Sequence, residues 1–193
     1  MKNYGEEIAY WYLRFNGFFV LDNYIYQNNR DGDADLLAIR LPHVVEPIGG
    51  KLDDWDEELF GNQKGYDILG LLCEVKTGQD VRCIRAFENR KVNTALKRIG
   101  FSKLEVEELL NQNENNSILN YNKKNFIKLV VTESKIQTKN DTYLTIPLKH
   151  VEEFIYKRVR NYIGPKYNTR HFFPSSLIQY IMYREKKRSG IKQ

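Results

Sequence analysis

The sequence predicts a central mixed β-sheet flanked by helices, an α/β (α+β) fold. Three observations lead there. Strand-length runs rich in aromatic and β-branched residues fall at 18–26, 34–41 and 68–76, and a second pair falls at 126–134 and 141–149. Stretches with helical apolar spacing flank and separate these two groups. Residues 68–73, Ile-Leu-Gly-Leu-Leu-Cys, carry no polar side chain, which marks a central strand covered on both faces. The resulting order is helix, three strands, helices, two strands, helices, with no internal repeat.

Each element has a local reason. Residues 3–16 have helical spacing and stop at Asn16-Gly17. Residues 27–33, QNNRDGD, supply the Asn, Asp and Gly of a turn between the first two strands, and Pro42 ends the second. Residues 43–66 have no clean period, two adjacent glycines and a cluster of acids, so they read as a long excursion. Residues 85–100 and 102–112 read as helices, and 111–117, NQNENNS, as a polar linker. A turn near Lys139-Asn140 is expected between the last two strands. Residues 150–163 and 174–188 are helical, the latter with Ser175 or Ser176 as its N-cap.

The 193 residues suffice for one domain with a sizeable core: a unit over 1–149, with 42–66 as an insertion, and a basic helical extension over 150–193 packed on it. The formal charge is +5, unevenly placed. Residues 150–193 hold ten Lys/Arg against three Glu, a local +7, whereas 42–66 hold six acids against two lysines, a local −4. Such asymmetry suits an anionic partner such as nucleic acid, and equally two solvated surfaces of opposite sign. Cys73 and Cys83 form no CxxC, and Cys73 lies in the apolar run as a small core residue. His43, His150 and His171 are scattered and receive no ligand role. No segment suggests a membrane span or a leader, so the expected location is the cytoplasm.

The acids are more telling. Residues alternate along a strand, so Glu74 and Lys76 share a face while Val75 looks the other way. A carboxylate at the rim of a buried strand needs a neutralising cation, either Lys76 or a bound metal. Asp33 and Asp35 likewise share a face just before the apolar run of the second strand. If the two strands pair, Asp35 and Glu74 come within reach of one Mg²⁺, which takes oxygen ligands and keeps several waters. In the first helix Glu7 falls on the polar side and needs no special account. Glu6 falls about 20° from Leu13 on the helical wheel and interrupts the apolar arc. Taken singly, these features are a solvated ion pair, turn chemistry and a first-turn glutamate favoured by the helix dipole. Their combination favours function.

Together these residues resemble the PD-(D/E)XK nuclease superfamily, whose pattern is a helical Glu, an Asp at a strand start and E-x-K on the next strand. The chain is closest to small bacterial nuclease-like proteins related to Holliday-junction resolvases. The stretches that carry the likeness are Gly5-Glu6…Ala9, Leu13…Gly17-Phe18, Gly32-Asp33-Ala34-Asp35-Leu36-Leu37-Ala38 and Glu74-Val75-Lys76-Thr77. The insertion at 42–66 and the long chain beyond the E-V-K-T strand depart from that pattern, and the insertion could shield the site.

The resemblance implies a restriction-endonuclease-like αβββαβ core and metal-dependent phosphodiester cleavage. Asp35, Glu74 and the Val75 backbone carbonyl would bind Mg²⁺ (or Mn²⁺). Lys76 would orient the attacking water, and Glu6 would act through water or on a second ion. Arg90 and Lys91, on the helix after E-x-K, are expected at substrate phosphates, with an ordinary solvated helix face as the other reading. Arg82, Arg85, Lys97 and Arg98 lie in the same basic stretch. DNA stands ahead of RNA as partner, with branched or damaged duplex leading, and a homodimer would serve symmetric cutting. The bases and aromatics of 156–173 suit phosphate neutralisation with base stacking, or a helix core. The alternatives are a catalytically silent binding module on the same scaffold, with the acidic 42–66 insertion recruiting a protein partner, and an interaction domain whose E-x-K is a structural ion pair.

Overall fold

The computed structural model describes residues 3–22, 34–45, 54–61, 65–78, 85–133, 142–164 and 175–190. Strands β1 (Phe19–Asp22), β2 (Leu36–Arg40) and β3 (Ile68–Lys76) pair antiparallel in sequence order, with Leu36 opposite Cys73 and Leu37 opposite Leu72. Strand β5 (Lys124–Thr132) then runs parallel to β3 along its whole length, from Ile68↔Lys124 to Lys76↔Thr132. Strand β4 (Ile118–Tyr121) pairs antiparallel with the first part of β5, and β6 (Leu144–Pro147) pairs parallel with the last part. The two short strands therefore share one edge of β5. Among the described residues the sheet is mixed, has six strands and is flanked by helices.

Period-two alternation divides the core between the two faces of the sheet. Leu69, Leu71, Cys73 and Val75 of β3, with Ile127, Leu129 and Val131 of β5, face three helices: α1 (Tyr4–Phe15), α5 (Leu148–Asn161) and α6 (Ser176–Ser189). Those helices contribute Ile8, Ala9 and Leu13, then Val151, Ile155 and Val159, then Ile178, Ile181 and Met182. On the other face Leu37, Leu72 and Val130 meet α3 (Asn89–Arg98) and α4 (Lys103–Leu110) through Val92, Ala95, Leu96, Val106 and Leu109. Each fully buried side chain of this kind contributes roughly 1.5–3 kcal/mol. The basic helices α5 and α6 thus share one core with α1. Their stripes of Val, Ile and Met point inward while their lysines point out.

Short-range chemistry sets the helix starts. Asn3 Oδ1 accepts the Glu6 amide of α1 at 2.9 Å, Ser102 and Glu105 form a capping box on α4, and Ser175 Oγ accepts the Ile178 amide of α6 at 3.2 Å. Several boundaries differ from expectation. The first strand is described only as far as Asp22, and residues 23–33, including Asp33 and the expected turn, lie outside the described residues. The polar tract 111–117 leads into β4, which its sequence conceals. β4 closes on β5 through Asn122 and Lys123, both with positive φ (46° and 60°), as a tight hairpin requires. Lysine is an unusual choice there, so the turn is hard to read. The strand expected at 141–149 is only four residues long and runs parallel to β5, not antiparallel as a turn at Lys139-Asn140 would make it. The α5 helix begins immediately after it, at Leu148.

The acidic excursion is partly ordered onto the body. Its longest described part, residues 54–61, holds a one-turn helix, α2 (Glu57–Phe60). Trp55 lies between the guanidinium groups of Arg40 and Arg158, at 4.7 and 5.3 Å from its ring centre. Arg158 is 2% exposed and donates to the Asp54 and Phe15 carbonyls, both at 2.7 Å, so it serves the fold and not a substrate phosphate. Asp56 Oδ2 accepts from the Tyr12 hydroxyl at 2.6 Å and lies 2.7 Å from His150 Nε2, while the Asp56 amide donates to Asn16 Oδ1 at 2.9 Å. All of this lies towards the C-terminal end of α1, at Tyr12, Phe15 and Asn16, about 9–15 Å along the helix from Glu6. The docked part of the insertion therefore stands away from Glu6 and does not shield it. Asp56→Ala strands the buried Tyr12 hydroxyl, and a loss of about 2–4 kcal/mol is expected in urea unfolding.

Candidate active site

The end of β3 and the start of β2 meet through one ladder bond and one side-chain bond. The Asp35 amide donates to the Cys73 carbonyl at 3.1 Å, and Asp35 Oδ2 accepts the Val75 amide at 2.6 Å. Leu37 and Leu72 point to the α3 side, so alternation sends Asp35, Glu74 and Lys76 to that side too. Lys76 Nζ pairs with Glu74 Oε1. The second oxygen, Glu74 Oε2, is buried and has no hydrogen-bond partner. The Glu74 side chain is 9% exposed and that of Lys76 30%. The lysine is thus the wet end of a pair whose acid is dry.

Electrostatics binds the set together. Burial pushes the Asp35 carboxyl up to about 7; the Val75 amide opposes that rise, Glu74 and Glu6 add to it, and Lys76 reduces it. The Cys73 thiol is pushed well above its ordinary value, first by burial and then by Asp35 and Glu74, so it is no nucleophile.

Glu6 reaches this field from α1. Asn3 holds it twice, accepting its amide and donating Nδ2 to Oε1 at 2.5 Å. Gly5 explains how the helix comes so near. A Cβ at this position would lie 2.4 Å from Thr77 Cγ2 and 3.0 Å from Val75 Cγ1, so only glycine lets the first turn of α1 abut the end of β3. Glu6 acts on Asp35 through space and makes no direct bond to it. Its neighbour Glu7 does have a structural task, because Ser175 Oγ donates to Glu7 Oε1 at 2.6 Å and ties α1 to α6. Asn3 was not anticipated, although Asn three residues before Glu is a recognisable helix-start signal.

Arg90 and Lys91 occupy the first turn of α3. The opposite end of that helix lies over the early part of β3, where a Cβ on Gly70 would meet Ile99 Cδ1 at 2.4 Å. The helix start, with exposed Arg90 and half-buried Lys91, lies beside Asn113, whose Nδ2 donates to Asn89 Oδ1 at 2.7 Å. Arg82, Cys83 and the aromatic-basic stretch 165–173 lie outside the described residues. Among the described residues, no three His, Cys, Asp or Glu side chains converge as a metal cage. A cation here would take Asp35 and Glu74 together with main-chain or water oxygens, a donor set that Mg²⁺ accepts. Also among the described residues, no helix is long and apolar enough to cross a membrane.

No family model matches the chain, and neither does any curated protein or solved structure.

Two outcomes follow from this geometry. With Asp35 raised to about 7, the folded protein binds an extra proton between about pH 4 and 7. In chelator its stability therefore falls as pH rises through that window, and the full deficit is present above it. Asp35→Asn keeps an acceptor for the Val75 amide. In urea unfolding it is expected to stabilise the protein by about 2–4 kcal/mol at pH 8 and by nearly nothing at pH 4. Gly5→Ala is expected to lose about 1–3 kcal/mol by overpacking, and Thr77→Ala in the same chain should restore part of that loss.

Proposed function

We propose that the chain is a metal-dependent nuclease that hydrolyses phosphodiester bonds of DNA, with a restriction-endonuclease-like core of the PD-(D/E)XK kind. The element order supports the reading: α1, three antiparallel strands, helices, then, after the short β4, a strand parallel to β3. The observation that carries it is the meeting of Asp35 and Glu74 from adjacent strands beside Lys76, with Glu74 Oε2 buried and unpartnered. A buried carboxylate oxygen without a donor is costly, and a cation would remove that cost.

Asp35, Glu74 and the Val75 carbonyl would hold Mg²⁺ or Mn²⁺, which would lower the pKa of a bound water and offset charge building on the phosphate. The chain's own groups account for the rest. Lys76, 30% exposed and on the same face, donates hydrogen bonds to the attacking water and to the phosphate oxygen that gains charge. Glu6, fixed by Asn3, adds negative charge at the helix start and acts through water. Arg90 and Lys91 offer cations to flanking phosphates. Branched or damaged duplex is the proposed substrate class. Symmetric cutting of a four-way junction would require two copies.

A second reading has its own support. Lys76 already neutralises one oxygen of Glu74, as a structural ion pair in a silent nucleic-acid-binding or protein-binding module would need. Cleavage separates the two. A labelled panel of linear duplex, single strand, flap, four-way junction and RNA, with Mg²⁺ or Mn²⁺, is expected to show DNA cutting. Lys76→Ala and Glu74→Ala should each lower the rate by about 100-fold or more. Binding without any cutting would favour the silent module.

A further inference from the structure

The last helix, α6, has one face in the core and the opposite face bare. Ile178, Ile181, Met182 and Glu185 are buried, while Tyr180, Tyr183, Arg184 and Lys187 are exposed. These last four stand at i, i+3, i+4 and i+7, within about 100° of the helical wheel. Both tyrosines are more than half exposed, and the Arg184 guanidinium lies over the Tyr180 ring at 5.8 Å from its centre. A single exposed apolar residue needs no explanation, but two neighbouring rings set among cations on one face do.

The one acid of α6 is turned away from that face. The Glu185 side chain is 2% exposed; Arg160 Nε of α5 donates to its Oε2 at 2.8 Å and Arg188 Nη1 to its Oε1 at 3.3 Å. The two arginine side chains are 59% and 67% exposed, so a dry carboxylate holds two wet cations in place. Each guanidinium has further N–H groups beyond the one on Glu185. On the helical wheel Arg188 follows Arg184 by one turn, so the fixed pair continues the exposed stripe. The outer side of α6 is thus cationic and aromatic, with its negative charge buried.

We propose that this face of α6, extended by Arg160, binds a single-stranded segment of nucleic acid. Tyr180 and Tyr183 stack on unpaired bases, and Arg184, Lys187, Arg188 and Arg160 meet the phosphates. A duplex would meet the cations and leave the rings idle, because its bases are stacked on one another. An anionic lipid surface would also meet the cations, but it calls for Leu, Phe or Trp to enter the acyl boundary, and the exposed arc carries none. The helix begins beside the first turn of α1, where its N-cap Ser175 donates to Glu7, and Tyr180 lies about 7–8 Å further along its axis. Binding of a strand stands on α6 alone. Its service to cleavage, as the grip on the unpaired arm of a branched substrate, rests on the nuclease reading.

Fluorescence anisotropy of a labelled thymidine strand of about 15 nucleotides, with the full chain in chelator, tests this without cleavage. Tyr180→Ala and Tyr183→Ala are each expected to weaken strand binding about tenfold, and Tyr180→Phe and Tyr183→Phe to retain it. Lys187→Gln should lower the slope of log affinity against log salt by about 0.7. Lys103→Gln, at a lysine 87% exposed on α4, removes the same charge elsewhere and is expected to leave that slope unchanged. All these positions are exposed or half-exposed, and circular dichroism checks the fold of each variant. The proposal is overturned by a chain that does not bind the strand at low salt, by alanine variants that bind like the natural chain, or by equal effects at Lys103 and Lys187. Binding of phosphatidylserine vesicles or polyglutamate in place of the strand overturns it too. Strand binding that depends on the tyrosines, in a chain that cuts nothing, would keep the surface and remove the nuclease. Cutting by a chain whose strand binding ignores both tyrosines would do the reverse.

Discussion

The register between β2 and β3 is the constraint on which the candidate site depends. Asp35 reaches the Val75 amide because Leu36 stands opposite Cys73. A slip of one residue would turn Asp35 and Leu37 away from the α3 side and put Leu36 and Ala38 in their place. The apolar alternation of both strands therefore fixes the chemistry: the same pairing that buries Leu37 and Leu72 on one face and Leu71 on the other brings the two acids together. Here the core and the site are a single arrangement.

Much of this was legible because it rests on alternation. The apolar run ending in Glu74-Val75-Lys76 marks a central strand and tells which side chains share its face. Asp35 and Glu6 were legible as acids in positions that burial should forbid. What could not be read depends on contacts between distant segments. Gly5 matters because the helix start abuts Thr77, and a sequence does not announce that approach. β4 is hidden by a turn with lysine at positive φ. Lys128 sits in the middle of an apolar strand, yet it is buried and its Nζ donates to the Asn113 carbonyl. Glu7 falls on the polar side of the helical wheel, yet it accepts from Ser175 across 168 positions of chain.

The uneven charge of the sequence has an internal explanation in part. Asp54 of the excursion pairs with Arg158 of α5, and Asp56 lies 2.7 Å from His150 Nε2. Arg160 pairs with Glu185 at 2.8 Å and joins α5 to α6. Burial of Arg158 and Asp56 makes these pairs costly to break singly, whereas exposed pairs such as Lys149–Glu153 contribute little. The charge left for a partner is thus smaller and more localised than the linear sum suggests.

The core shared by α1 with α5 and α6 has a consequence for the order in which the molecule can assemble. Glu6, Asp35, Glu74 and Lys76 all leave the ribosome within the first 76 residues, yet Arg158 grips the Phe15 carbonyl from 143 positions downstream. Until that later chain arrives, the apolar face of α1 and one side of β3 have only each other for cover. The acidic cluster is therefore synthesised early and becomes rigid late, so a nascent chain carries Glu6, Asp35, Glu74 and Lys76 well before the contacts that fix their geometry.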